Sequence, residues 1–256
     1  MKMTPDFRNR VLAGEFLAGT FLNLGSSLTA EMAGLAGFDW LMLDYEHGAG
    51  SEMTLLHQLQ AVAATPAMGV VRIAANEPPR FKRVLDAGAH GVMIPYVSSA
   101  AEMKAAIAAL RYPPHGQRGV AKLNRAAAFG SDFDAYFARS HECIVSMPQI
   151  ETLEGVQAVD EIAAVDGADV LFVGPLDLTS NMGISGNYSH PDFIAILKKV
   201  AASARRAGKA AGILALDPSH VGPWREMGYS VMALGSDGGG VNASLRANAA
   251  LLKRSG

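Results

Sequence analysis

A few polar residues stand at the downstream ends of short apolar runs, and their types suit acid–base chemistry on an anion. His47 closes L-M-L-D-Y-E-H (41–47), with Asp44 and Glu46 just before it. Arg72 interrupts G-V-V-R-I (69–73). Gln149 and Glu151 follow I-V-S-M-P (144–148), and Gly174, Pro175 and Asp177 follow V-L-F-V (170–173). An imidazole is the natural general base near neutral pH. An arginine in an apolar strand needs an anion, either a structural carboxylate or a developing enolate or carboxylate of a ligand. If the runs at 144 and 170 pair, Glu151 and Asp177 end adjacent strands about 4.8 Å apart. Two carboxylates completed by water suit a hard octahedral cation, Mg²⁺ or Mn²⁺. Each has a plainer reading: Glu151 opens a helix (E-T-L-E), where negative charge is favoured, and Asp177 is a turn residue after Gly-Pro. Together with His47 and Arg72 on one rim, the four make a site.

Such a rim needs strands that all end on one side. Eight short apolar runs recur, at 19–22, 40–43, 70–73, 91–94, 144–147, 170–173, 212–216 and 231–234. Amphipathic stretches follow them at about 28–36, 52–64, 77–87, 99–110, 152–164, 191–207, 218–227 and 240–253. Strands alternating with helices pair in parallel, and near-continuous apolar runs are what parallel strands covered on both faces require. Eight such units predict an α/β fold of the (β/α)8 TIM-barrel type, with its chemistry at the C-terminal strand ends. Ala87-Gly88, Ala207-Gly208 and Met227-Gly228 are expected helix stops. One domain over 1–256 is expected, with a long inserted segment at 112–141 that is helical over 132–139. Among the other strand ends are Asn23, Pro95, Tyr96, Asp217, Ser236 and Asp237. Of seven histidines, only His47 ends a strand; His141 is read as lying in a turn at the opposite face.

Composition removes other classes. One cysteine among 256 residues excludes a disulfide framework and a Cys-based zinc site. A formal net charge of -2 is wrong for a nucleic-acid protein. Neither a signal peptide nor a membrane span is expected, and a cytoplasmic protein is the expectation. No lysine directly follows a strand, and only Lys122, in the long segment, is placed to reach the rim, so a Schiff-base mechanism has no good nucleophile. G-S-D-G-G-G (235–240) is a weak match to a barrel phosphate loop.

The segments G-F-D-W-L-M-L-D-Y-E-H-G (37–48), V-V-R (70–72), R-Y-P-P-H-G-Q-R-G-V (111–120), Q-I-E-T (149–152) and G-P-L-D-L-T-S-N-M-G-I-S-G-N-Y-S-H-P (174–191) resemble the HpcH/HpaI metal-dependent aldolases. The barrel of that family is similar to the phosphoenolpyruvate/pyruvate-binding type. The resemblance implies a class II aldolase that reversibly cleaves 4-hydroxy-2-oxo acids to pyruvate and an aldehyde through a metal-stabilised pyruvate enolate, as 4-hydroxy-2-oxoheptanedioate aldolase does. His47 would be the general base, acting through a water, and Arg72 the enolate stabiliser. Glu151 and Asp177 would hold the metal, Mg²⁺ or Mn²⁺ with Co²⁺ a further candidate. Gln149, Gly174 and the backbone at Leu176 and Asp177 would bind the oxo acid. Asp86 would raise the basicity of His47. Asp86 ends a helix at the other face and would act across a subunit contact, whereas Asp44 is a closer local orienter. Tyr45 stands where many relatives have Gly, and Leu176 where some have Ala. Dimers building a hexamer are implied, and the Ala-rich last helix fits either its own barrel or a neighbour's. Alternatives are a citryl- or malyl-CoA-type lyase, for which no basic nucleotide site is evident, a non-catalytic oxo-acid binding protein, and, ranked last, a structural scaffold.

Overall fold

The computed structural model describes residues 3–254. Eight parallel strands close into a barrel: β1 (Leu17–Leu22), β2 (Trp40–Asp44), β3 (Met68–Arg72), β4 (Gly91–Ile94), β5 (Val145–Ile150), β6 (Val170–Val173), β7 (Ala210–Ala215) and β8 (Tyr229–Ser236). The ring is sealed by β1 pairing with β8, Leu17 opposite Val231. All eight expected strands are present, with ends within a few residues of expectation.

The alternation along each strand builds two cores. Trp40 and Met42 point into the barrel with Phe21, Val70, Met147 and Phe172. Leu41 and Leu43 point outward under the helices. The floor is closed by α1 (Asp6–Leu12), a helix the sequence pattern did not signal. Its Phe7 and Val11 join the inner core, and Arg8 grips Asp169 through Nε at 3.0 Å and Nη2 at 2.8 Å.

Around the barrel run α2 (Ser27–Leu35), α3 (Glu52–Val62), α4 (Pro78–Asp86) and α5 (Ala100–Leu110), then α6 (Phe133–Cys143) in the inserted segment. Ser26, Ser51 and Ser99 cap α2, α3 and α5 with their hydroxyls. The glycine stops are confirmed, since Gly88, Gly208 and Gly228 all have positive φ.

Five expectations about helices need correction. The helix expected at 152–164 is two, α7 (Leu153–Gln157) and α8 (Val159–Ala163), and the Val156 carbonyl beside the break accepts a bond from Lys199 Nζ at 2.7 Å. G-P-L-D, read as a turn, is the start of α9 (Pro175–Asn181), with Pro175 pre-set at the first helical position. The helix expected at 132–139 extends to Cys143 and places His141 in its last turn. After α10 (Pro191–Arg206), the expected helix at 218–227 begins as a single 3-10 turn, Pro218–His220, before α11 (Val221–Glu226). The last helix, α12 (Asp237–Arg254), starts earlier than the glycine run suggested. No helix among the described residues is long and apolar enough to cross a membrane.

Candidate active site

Strand register brings the rim residues together in two pairs. In β2 and β3, Asp44 lies directly opposite Arg72. Arg72 Nε donates to Asp44 Oδ1 at 2.9 Å and Nη2 to Oδ2 at 2.7 Å. Its Nη1 faces Glu46 Oε2 at 3.0 Å, close enough for an ion pair but without hydrogen-bond alignment, and that oxygen is buried with no hydrogen-bond donor. One face of the guanidinium lies over the Phe21 ring, 5.3 Å from its centre. Burial would raise the Asp44 carboxyl, but the Arg72 fork outweighs it and holds the group below the usual carboxylate range. For Glu46 burial prevails over Arg72, and its carboxyl is pushed up.

Asp44 meets the loop after β2 through its main chain. Its Oδ1 accepts the backbone N–H groups of Glu46 (3.1 Å) and His47 (3.2 Å), which shapes that loop. His47 stands three residues beyond the strand end, with its side chain exposed at the rim. Asp44 thus contacts the backbone of His47, and no bond from Asp44 to its imidazole is seen among the described residues.

The second pair comes from β5 and β6. Ile150 pairs with Val173, so the next residues, Glu151 and Gly174, meet at the strand ends. A Cβ at Gly174 would fall on the Glu151 carboxylate, so a larger residue here would have to push that side chain aside. Glu151 is 1% exposed. Its Oε1 accepts the Tyr96 N–H and its Oε2 the Gln149 amide, each at 2.8 Å. Tyr96 holds its N–H there with a φ of 53°, a strained value for a non-glycine residue. Burial pushes the Glu151 carboxyl up to about 7, with the charges of Glu46 and Asp177 adding to the shift and the Tyr96 N–H opposing it. Gln149 Oε1 is buried without a partner. Asp177, half-buried, sits in the first turn of α9, and the first intrahelical bond there runs from Leu178 N–H to the Gly174 carbonyl. The N–H groups of Leu176 and Asp177 precede that bond, as helix-start donors do.

No three His, Cys, Asp or Glu side chains among the described residues converge tightly enough to hold a metal by themselves. Glu151 and Asp177 still fit a hard cation. They are oxygen donors coupled through like charge, one of them destabilised in its ionised form, beside an unpartnered buried amide oxygen. The remaining coordination would come from water and an oxo-acid ligand.

The family model for HpcH/HpaI aldolase/citrate lyase matches residues 17–243. The chain belongs to the HpcH/HpaI aldolase/citrate lyase family. It is therefore an enzyme, a carbon–carbon lyase of the aldolase type. It is 42% identical over 248 residues to 5-keto-4-deoxy-D-glucarate aldolase of Salmonella paratyphi C, which covers 97% of this chain and 96% of that relative. An HpcH/HpaI aldolase/citrate lyase family protein from Burkholderia cenocepacia superposes with a TM-score of 0.91 at 38% identity, covering 98% of this chain and 99% of the other. An HpcH/HpaI aldolase from Desulfitobacterium hafniense gives 0.89 at 28% identity, covering 96% of each.

Within this family member, the remaining candidates named from sequence fall away from the rim or change role. Asp86 ends α4 and is held there by Arg118 Nη2 at 2.7 Å and Asn124 Nδ2 at 3.4 Å, rather than by His47 of the same chain. Lys122 places its ammonium 5.8 Å from the centre of the Phe133 ring in the inserted segment. The phosphate-loop reading of 235–240 fails because the start of α12 already holds an anion of its own. Asp237 accepts from the N–H groups of Asn23 and Gly238, both at 2.8 Å, and from the Thr29 hydroxyl at 2.7 Å. Sequence reasoning missed two features: the Tyr96 N–H on Glu151, and Glu46 as a second carboxylate on Arg72. The only sequence signal for Glu46 was its position two residues after Asp44.

Proposed function

We propose that the protein is a divalent-metal-dependent aldolase that reversibly cleaves 4-hydroxy-2-oxo acids to pyruvate and an aldehyde. The observation that carries this reading is the convergence at one barrel mouth of a forked Arg72, a buried Glu151 beside Asp177, and an exposed His47. Held by Glu151 and Asp177, Mg²⁺ or Mn²⁺ (with Co²⁺ third in order) would supply Lewis-acid polarisation of the 2-oxo acid.

The protein's own groups account for the rest. The backbone N–H groups of Leu176 and Asp177 receive the substrate carboxylate, as helix-start donors do. Gln149 Oε1 offers a buried acceptor to water or a ligand hydroxyl. His47, through a water, takes the proton of the 4-hydroxyl. The C3–C4 bond breaks as the C4–O bond becomes a carbonyl, and the released electron pair forms the pyruvate enolate. Arg72 faces the enolate oxygen and stabilises the charge that gathers there. Protonation at C3 completes pyruvate, and condensation runs the same steps in reverse. Asp86 is assigned to the basicity of His47 in an assembled oligomer, presented by Arg118. A homo-oligomer of dimers building a hexamer is part of this proposal, as is one working unit over residues 1–256.

The test is coupled pyruvate release across 4-hydroxy-2-oxo acids of different length and charge, beginning with 5-keto-4-deoxy-D-glucarate, for which the relatives are named. Activity should vanish with EDTA and return with Mg²⁺ or Mn²⁺. Pyruvate release that survives exhaustive chelation would remove the metal from the proposal, and silence across the whole panel would remove the aldolase reading.

A further inference from the structure

Arg72 has no idle edge. Asp44 occupies Nε and Nη2, and that fork is fixed, because the same carboxylate oxygen also holds two backbone N–H groups and Phe21 covers a guanidinium face. Only the Nη1 side can be offered to a ligand. That side faces Glu46 Oε2 at 3.0 Å.

The two carboxylates hold Arg72 very differently. Asp44 is a strong acceptor in a bidentate pair, the geometry that gives a guanidinium–carboxylate pair its strength. Glu46 makes contact without hydrogen-bond alignment, and its Oε2 is buried with no hydrogen-bond donor. An oxygen in that state is the easier of the two to displace. Glu46 also lines a cavity of about 330 Å³ with Asn76, Tyr96 and Glu102, so its carboxylate has space to swing into.

We infer that Glu46 is a placeholder for the substrate: its carboxylate occupies the Nη1 side of Arg72 in the resting enzyme and hands that edge over to the oxygen of the incoming oxo acid. The inference rests on the reading of Arg72 as the enolate-side contact. Glu46 is then a positioning residue. It covers the Nη1 edge while the site is empty, and it competes with every anion that enters. Two like charges brought to about 4 Å interact strongly even at an effective dielectric constant near 20. Removing the charge of Glu46 while keeping its shape should therefore tighten anion binding, and Asp44 alone should keep Arg72 in place.

The experiment compares wild type, Glu46→Gln and Glu46→Asp. Oxalate and pyruvate are titrated calorimetrically into the Mn²⁺-loaded proteins, and Mn²⁺ affinity is measured separately from the free-ion paramagnetic resonance signal. Glu46→Gln should bind oxalate and pyruvate about tenfold more tightly. Its KM for the cleaved oxo acid should fall while kcat changes little, because placeholder competition acts on ground and transition states alike. Mn²⁺ affinity should change far less than anion affinity, because Glu46 reaches Glu151 and Asp177 only through its charge. Glu46→Asp keeps the charge but shortens the reach, and should fall between the two. Unimproved anion binding in Glu46→Gln would overturn the inference while leaving the aldolase reading intact. A loss of Mn²⁺ affinity as large as the expected gain in anion affinity would also overturn it, by making Glu46 part of the metal's surroundings. A wild-type protein that binds neither anion would bring down both readings together.

Discussion

His47 is the exposed imidazole at the rim, so its removal should be felt in the chemistry and not in the fold. His47→Ala is expected to lower kcat/KM for cleavage by about 10²- to 10⁴-fold, with an unchanged melting temperature. Wild-type turnover in that variant would end its assignment as the base. Glu151 makes a prediction of the opposite kind, about stability. Its folded carboxyl lies at about 7 against an ordinary 4.5, mainly because it is buried. Between those values the folded chain keeps a proton that the unfolded chain has already released. The stability this represents is fully present below pH 4.5 and is lost as pH rises through 7, at most about 3 kcal/mol. In EDTA the melting temperature should drop between pH 5.5 and 8, and Glu151→Gln should flatten the drop and melt higher than wild type at pH 8. A Gln variant that melts lower there would contradict the burial argument. Metal affinity should run the other way, rising across the same window as the proton leaves.

At the scale of elements, the β5–β6 edge is the tightest part of the site. Gly174→Ala should push the Glu151 carboxylate aside and lower metal affinity and turnover together, while circular dichroism stays native. In the inserted segment, Arg118 is 2% exposed, bonds Tyr136 Oη at 3.0 Å and Asp86 at 2.7 Å, and lies 4.3 Å from the centre of the Tyr112 ring. Arg118→Ala should cost about 2–4 kcal/mol in urea unfolding, toward the lower end for a buried pair because Asp86 is partly exposed. Elements were legible where burial leaves a one-dimensional trace. W-L-M-L and V-L-F-V are apolar because parallel strands are covered on both faces, and His47, Arg72, Glu151 and Asp177 stood out as charges ending such runs. Helix α9 was not legible, because Gly-Pro-Leu-Asp serves equally as a turn or as a helix start. The partners of Arg72 were not legible either. The sequence showed that a buried guanidinium needs anions, but β2–β3 register and a bent loop decide that these are Asp44 and Glu46. The Tyr96 contact depends on a positive φ, which no residue type announces.

Across the whole molecule, α12 carries the longest run of exposed residues among those described. Every side chain from 239 to 253 is exposed, including Val241 (46%), Leu245 (63%), Leu251 (63%) and Leu252 (79%). Exposed apolar side chains along one helix are what a subunit contact would cover, and they support the proposed assembly. Leu245→Glu with Leu252→Glu should reduce the mass measured by light scattering, whereas an unchanged oligomer would place the contact elsewhere. The barrel also constrains how this enzyme can exchange parts with its relatives. Asp44 grips both the guanidinium on β3 and the main chain that carries His47, so the proposed acid-side and base-side tools share one mount. A recombination crossover between residues 44 and 72 would inherit the mount from one parent and its arginine from another. Functional chimeras should therefore join outside that interval, where parts can be traded without disturbing the pair.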